Sequence, residues 1–356
     1  MEPLKGIKVI ELASVLAGPA VGMFFSELGA EVIKIENAPA GGDATRTWKV
    51  AGEDPEATVS AYFSAINYHK KYKMVNLKNL DERDEIYALI KTADVVISNF
   101  KTGDDIKFGM EYDRLKELNP KLIYAHLRGF DSQEMRTGYD VVLQAEVGFM
   151  SMNGTKQSGP VKFPVAIIDL LAAQQLRQGL MLALWQREKT GKGCMVETSL
   201  EASGIAALVN QASAYLMLGK VPTTAGSEHP GIAPYGDTFQ CKDGKDIVLA
   251  VGTDKQFRHL CQILGDESIA DNPLYMHNPE RVINRDNMVR VLAELFAKHQ
   301  RDSLLENLIQ AEVPAGAIRN LQEVFESPFA QSMVLEETIE GVATKRVKTV
   351  AFRIRE

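Results

Sequence analysis

Cysteine is scarce in this chain: Cys194, Cys241 and Cys261 are scattered, and no pair has metal-ligand spacing. An odd, dispersed set excludes a disulfide framework and reads as reduced thiols in a reducing compartment. The six histidines form no HxxxH or HExxH pattern, so no metal is expected. No apolar run reaches the ~20 residues that a membrane helix needs. The start, Met1-Glu-Pro-Leu-Lys-Gly6, is polar and carries no signal-peptide pattern, and the expected location is the cytoplasm. Positive charge is in deficit too: 40 Lys and Arg against 47 Asp and Glu leave a net charge of −7, which argues against a nucleic-acid partner. An anionic ligand must then be met by a local basic cluster. GxGxxG is missing from the first strand-to-helix loop, Val15-Leu-Ala-Gly-Pro19, and Pro19 removes an amide that a pyrophosphate would use. A dinucleotide or other redox cofactor is therefore not expected.

What is present is a regular alternation of short apolar runs and helical stretches. With 356 residues, two domains are the natural division. Strands are expected at 7–13, 31–36, 94–98, 122–127 and 195–199, and helices at 20–28, 84–92, 113–118, 170–189 and 201–218. Such alternation implies a parallel sheet covered on both faces. The basic turn ending in Thr190-Gly-Lys-Gly193 is a helix stop. Residues 219–236 are rich in Gly, Pro, Ser and Thr and mark a domain boundary. Beyond it, a strand is expected at 246–251 and helices at 256–264, 287–298 and 303–311. Residues 316–319 and 342–354 look extended. The expected division is a large domain over 1–205, completed by 323–356, a linker over 206–224 and a small domain over 225–322.

In open α/β sheets, ligands bind beyond the carboxyl ends of the strands. The loops there carry several chemically suggestive groups. Asp169 closes the apolar run 163–168 and opens a helical stretch, which reads as a strand-to-helix junction. Taken alone it reads as a helix N-cap, but the free amides of such a junction can also hold an anion or a developing oxyanion. Gly41-Gly-Asp-Ala-Thr-Arg46 is either an ordinary surface loop or a phosphate contact through Arg46. Asn67-Tyr-His-Lys-Lys-Tyr-Lys73 reads as a solvated edge strand, or as a stacking and phosphate surface. Asn99-Phe-Lys-Thr-Gly103 and Lys107-Phe-Gly109 place two lysines and two aromatics after an apolar strand. Phe100 or Phe108 can cover a purine, and Lys101 and Lys107 can meet phosphates. In Gly138-Tyr-Asp140, Tyr139 can face a ligand, or Asp140 can simply cap the helix that follows.

Taken together these segments resemble the class III CoA-transferases, the carnitine-dehydratase/bile-acid-inducible group. The matching residues are Leu4-Lys-Gly-Ile-Lys-Val-Ile-Glu-Leu12, Ala17-Gly-Pro19, Leu28-Gly-Ala-Glu-Val-Ile-Lys-Ile-Glu36 and Gly42-Asp-Ala-Thr-Arg46. They continue with Ala93-Asp-Val-Val-Ile97, Asn99-Phe-Lys-Thr-Gly103, Asn119-Pro-Lys-Leu-Ile-Tyr124 and Gly138-Tyr-Asp140. Thr190-Gly-Lys-Gly193, Ala233-Pro-Tyr235, Lys242-Asp-Gly244 and Val313-Pro-Ala-Gly316 complete the set. None is diagnostic singly; the ordered set over nearly the whole chain is specific.

The resemblance implies a Rossmann-like large domain with a parallel sheet, a smaller inserted α+β domain, and a ring-like chain interlocked with a second copy in a homodimer. It also implies transfer of CoA from an acyl-CoA donor to a carboxylic acid, with Asp169 forming an anhydride and then a thioester. CoA as part of the substrate is expected along Val15, Arg46, Asn99, Phe100, Lys101, Lys107, Phe108 and Tyr139. Three departures stand out. Asn37 replaces a common Arg, the loop 128–136 replaces a Ser-Gly-Phe-Gly form around the acceptor, and the chain stops at Glu356, before the family's usual closing segment. The alternative within the same fold is an α-methylacyl-CoA racemase, which carries His where Tyr139 stands. A tyrosine with an unperturbed pKa of ~10 is a poor base for that proton exchange. A non-catalytic CoA-binding subunit is disfavoured by the presence of Asp169.

Overall fold

Strands buried on both faces need consecutive apolar residues. Val9, Ile10, Val95, Val96, Ile97, Ile123 and Ala125 supply them and are fully buried. A computed structural model of the chain describes residues 2–131 and 136–355. Its largest sheet comprises β1 (Lys8–Glu11), β2 (Glu31–Asn37), β3 (Lys70–Val75), β4 (Val95–Ser98), β5 (Ile123–Arg128) and β6 (Cys194–Ser199). The six strands run in the order β3-β2-β1-β4-β5-β6, and every pairing is parallel. The basic run around Lys70–Lys73 is thus an edge strand. Lys71 and Lys73 point to carboxylates at the surface, whereas Lys70 turns inward.

The principal helices of this unit are α1 (Ala17–Glu27), α2 (Leu80–Ile90), α3 (Asp104–Phe108), α4 (Tyr112–Leu118), α5 (Asp140–Glu146), α6 (Ile167–Thr190), α7 (Leu200–Ala206) and α8 (Val209–Leu218). α1 is buried along almost its whole length. α6 stops where the sequence indicates, with Gly191 left-handed at φ 69°. Two expectations fail here. Residues 163–166 are not a strand, so Asp169 does not sit at a strand-to-helix junction. The single helix expected over 201–218 is two, interrupted where Val209 takes a positive φ of 32°. Part of the stretch expected to link two domains is therefore helical.

The chain divides into two compact units. One takes the residues up to Asn153, Pro160–Thr223 and those from Ser332 onward; the other takes Gly154–Gly159 and Thr224–Gln331. The second unit holds a three-stranded antiparallel sheet of Tyr235–Gln240, Asp246–Ala250 and Ala315–Ala317. Helices Asp254–Leu264, Arg285–Phe296 and Arg301–Gln310 contribute Phe257, Leu292, Phe296 and Leu304 to its core. Arg281 is fully buried there; it donates to the Ala233 and Tyr275 carbonyls at 2.7 and 2.9 Å and pairs with Asp254 at 2.7 Å. The closing hairpin, Val334–Ile339 with Val342–Val347, belongs to the first unit.

α1 crosses β1 closely because Gly22 lacks a side chain. A Cβ there would overlap the Glu11 carboxylate. Gly22→Ala is expected to destabilise the fold by about 1–3 kcal/mol, the usual consequence of overpacking. Denaturant midpoints check this; an unchanged midpoint would mean that α1 is free to shift.

Candidate active site

The strand order reverses between β1 and β4, so the loops leaving their carboxyl ends diverge and open a crevice. Asn99, just after β4, spans it. Its Oδ1 accepts from the Ser14 amide at 3.0 Å, and its Nδ2 donates to the Ser14 carbonyl at 2.8 Å. Two cavities share Ser14, Asn99, Phe100 and Lys101 as a common wall. The smaller, about 200 Å³, also meets Val15, Ala17, Arg128, Arg136, Tyr139 and Asp169. The larger, about 520 Å³, continues past Asn37 to Lys107 and Phe108.

Asp169 is the third residue of α6, with Ala166 in the cap position. Capping is done from elsewhere. Asp140 Oδ1 accepts from the amides of Ile168 and Asp169, at 2.8 and 3.3 Å, and its Oδ2 accepts from Gln144 at 2.6 Å. This corrects two expectations. Asp140 begins α5 and caps α6 rather than its own helix, and the amides at the start of α6 are already taken. Asp169 itself is 7% exposed, and among the described residues its carboxylate accepts no hydrogen bond. Burial, and then the nearby Asp140 charge, push its pKa up from 3.8 to about 7. The free amides at this crevice belong instead to α1, where the N–H groups of Ala17 and Gly18 have no intrahelical acceptor and Pro19 carries no N–H. Ala17, the first residue of α1, lines the cavity with Asp169.

Most of the residues expected to bind CoA converge here. Val15 and Tyr139 face the smaller cavity, Lys107 and Phe108 the larger, and Asn99, Phe100 and Lys101 both. The rings of Phe100 and Phe108 lie 5.8 Å apart, and Lys107 sits 5.2 Å from the Phe108 ring. Arg46 does not join them. It is buried, bound to Glu36 through Nε at 2.8 Å and Nη2 at 2.6 Å, to Glu340 at 3.1 Å, and stacked over Phe63. A guanidinium so occupied is a structural tie between loop and closing hairpin, not a phosphate contact. Of the loop singled out for the acceptor, Arg128, Gly129, Phe130 and Arg136 line the smaller cavity, and residues 132–135 lie outside the described residues. Arg128 donates one nitrogen, Nη2, to Glu197 at 2.6 Å. Tyr62 was not legible in the sequence. Burial, and then the charges of Asp169, Asp140 and Asp43, push its phenol up to about 12, so it lies within electrostatic reach of Asp169. No motif marks it, since it lies on a four-residue helix, Ala61–Ser64, outside the strand-end loops.

A family model described as CoA-transferase family III matches residues 4–355. A succinate–glutarate CoA-transferase of Agrobacterium fabrum is 38% identical over 95% of this chain and 86% of its own length. A human succinyl-CoA:glutarate CoA-transferase is 35% identical over 92% of this chain and 74% of its own. Among solved structures, a CAIB/BAIF family protein from Brucella suis superposes with a TM-score of 0.88 at 36% identity, covering 99% of this chain and 92% of that one.

A pKa raised by folding has a definite sign in stability. The folded chain holds the Asp169 proton more tightly than the unfolded chain does. Below 3.8 there is no penalty; it grows as pH rises and is complete above about 7. Asp169→Asn is expected to stabilise the fold more at pH 8 than at pH 5, by about 2–3 kcal/mol at 1.36 kcal/mol per pKa unit. Denaturant titrations at the two pH values check this. An equal effect at both would mean an ordinary, solvated carboxylate.

Proposed function

Because the chain belongs to CoA-transferase family III, we propose that it moves CoA from an acyl-CoA donor to a carboxylic acid with Asp169 as the covalent carrier. The observation that carries this reading is the buried, unbonded Asp169 carboxylate facing the smaller of two adjoining cavities. The Asp169 oxygen attacks the thioester carbonyl, the C–S bond breaks, and the CoA thiolate leaves a mixed anhydride. The thiolate then attacks the aspartyl carbonyl and releases the donor acid, giving aspartyl-CoA thioester. The acceptor carboxylate attacks that thioester and expels the thiolate, forming a second anhydride. Attack of the thiolate on the acceptor's carbonyl yields the new acyl-CoA and restores Asp169. Each tetrahedral intermediate carries a negative oxygen, and in this reading the amides of Ala17 and Gly18, at the start of α1, hold it. Burial serves the chemistry twice: it strips water from the nucleophile and protects the anhydride from hydrolysis.

In this reading CoA lies in the larger cavity, with Phe100 and Phe108 against the purine and Lys101 and Lys107 on phosphates. The acceptor enters the smaller cavity. Its size and the guanidinium of Arg128, which gives only one nitrogen to Glu197, support a short dicarboxylic acid, whose second carboxylate pairs with Arg128 while the first reacts; Arg136 is already held by Glu146 through both Nη atoms. The names of the two relatives, built on succinate and glutarate, agree with that class. An interlocked homodimer is supported by α8, which is apolar yet has no buried residue; Leu216, Met217 and Leu218 are 77–80% exposed. Epimerisation is not favoured, because Tyr139 stands at the base position and His126, on β5, is buried and hydrogen-bonded to Ser98 at 2.8 Å.

Asp169→Ala is expected to abolish exchange of CoA between acids while leaving CoA affinity within about threefold, since the carboxylate acts in the reacting state. Mass spectrometry after acyl-CoA and hydroxylamine is expected to find a hydroxamate at Asp169 in the wild type. A fully active variant would remove the mechanism, and a preference for monocarboxylic over dicarboxylic acceptors would remove the acceptor class. Lys101→Ala is expected to weaken CoA about tenfold, the loss of one phosphate contact of ~1.4 kcal/mol. Unchanged affinity by calorimetric titration would place the phosphates elsewhere.

A further inference from the structure

Beneath the crevice, four charged side chains are sealed from water. Glu11 ends β1, Lys34 lies in β2, Lys70 opens β3, and Asp43 follows β2; each side chain is at most 1% exposed. Lys34 Nζ lies 3.0 Å from Glu11 and 2.9 Å from Asp43, and donates to the Ala13 carbonyl at 2.8 Å. Lys70 Nζ lies 2.8 Å from Glu11 and donates to the Pro19 carbonyl and Asn67 Oδ1, both at 2.9 Å. Burial pulls the Lys34 ammonium down, and Glu11 and Asp43 more than offset it, so its pKa ends above the usual lysine range. Two lysines thus balance two carboxylates. For the fold alone this is a poor device, because buried ion pairs are often no better than well-packed apolar residues.

The cluster terminates at the active-site loop. Asp43 Oδ2 accepts from the Val15 amide at 3.2 Å, and its Oδ1 accepts from the Thr45 amide at 3.0 Å. Val15 takes φ 72°, a left-handed conformation that a β-branched residue strongly disfavours. Such a residue stays in place only when its surroundings over-determine it. Here Asp43 grips Val15 from below and Asn99 grips Ser14 from the side. Val15 and Ala17 then stand in the wall of the Asp169 cavity.

We propose that the Glu11–Lys34–Lys70–Asp43 quartet is a positioning device for acyl transfer: through Asp43 it holds the left-handed Val15 turn, and so fixes the α1 amides relative to the Asp169 carboxylate. The inference rests on the reading of Asp169 as acyl carrier. Asp43 touches no reacting atom, and its effect runs through Val15. Loss of the grip lets the turn relax toward negative φ, and a displacement of about 1 Å at a reacting centre is enough to lose roughly a hundredfold in rate.

The test compares full-length wild type, Asp169→Ala, Asp43→Ala, Asp43→Asn and the double variant Asp43→Ala/Val15→Gly, in exchange of succinyl-CoA with glutarate and in CoA titration. Asp43→Ala is expected to lower kcat about a hundredfold with CoA affinity within about threefold. Asp43→Asn keeps an acceptor for the Val15 amide but loses the charge, and is expected to lose about tenfold. Glycine adopts positive φ without a side-chain clash, so Val15→Gly in the Asp43→Ala background is expected to recover about tenfold. Should Asp43→Ala fail to fold, Asp43→Asn with and without Val15→Gly decides in the same way. Wild-type kcat in the Asp43 variants, or a loss that Val15→Gly does not relieve, overturns the proposal while an inactive Asp169→Ala leaves the carrier reading standing. An Asp169→Ala variant as active as wild type sinks the carrier reading and this proposal with it.

Discussion

Asp140 accepts the amides that open α6, and among the described residues this leaves the carboxylate of Asp169 with nothing to cap and nothing to bind. An aspartate in the first turn of a helix ordinarily spends its charge on the backbone, which lowers its pKa. Here another carboxylate has that position, and its charge adds to the effect of burial in holding the Asp169 proton. The price is a fold that keeps an uncompensated ionisable group in its interior. The transfer chemistry proposed for Asp169 would benefit from the same arrangement, because a poorly solvated carboxylate is the better nucleophile and burial excludes water.

The sheet supplies the rest of the geometry. Reversal of strand order between β1 and β4 opens a crevice that the helix-covered faces of a parallel sheet do not otherwise provide. Three side chains from two loops, those after β2 and β4, hold its walls. Asn99 links the two diverging loops, Asp43 holds the strained turn at Val15, and Arg46 ties the loop after β2 to the closing hairpin through Glu36 and Glu340. Each of these groups is polar, each is satisfied on the backbone or by an opposite charge, and each acts away from the carboxylate itself.

Local signals in the sequence carried much of this. Consecutive apolar residues identify strands such as Val95–Ser98, and Gly191 after a basic turn marks the end of α6, because strand burial and left-handed caps depend on neighbouring residues. Chemistry spread across the chain was less legible. The role of Asp140 at a helix start 28 residues away is a matter of packing, and at short range it looks like a cap for its own helix. Arg46, in a glycine-rich loop, has the pattern of a phosphate ligand, but its partner Glu340 stands 294 residues later. The apolar run before Asp169 has strand composition and finds no neighbouring strand, so it stays irregular. That Phe100, Lys101, Lys107 and Phe108 share the wall of one cavity was legible because they follow β4 directly, at the carboxyl edge of the sheet.

The central claim is that the Asp169 carboxyl is buried and uncompensated, and its own titration tests that most directly. In protein carrying 13C-labelled aspartate side chains, the resonance assigned by its loss in Asp169→Asn is expected to titrate with a midpoint of about 7. The midpoint is expected to fall when Asp140→Asn removes the neighbouring charge. A midpoint near 3.8, unmoved by that change, would show a solvated aspartate and contradict the account.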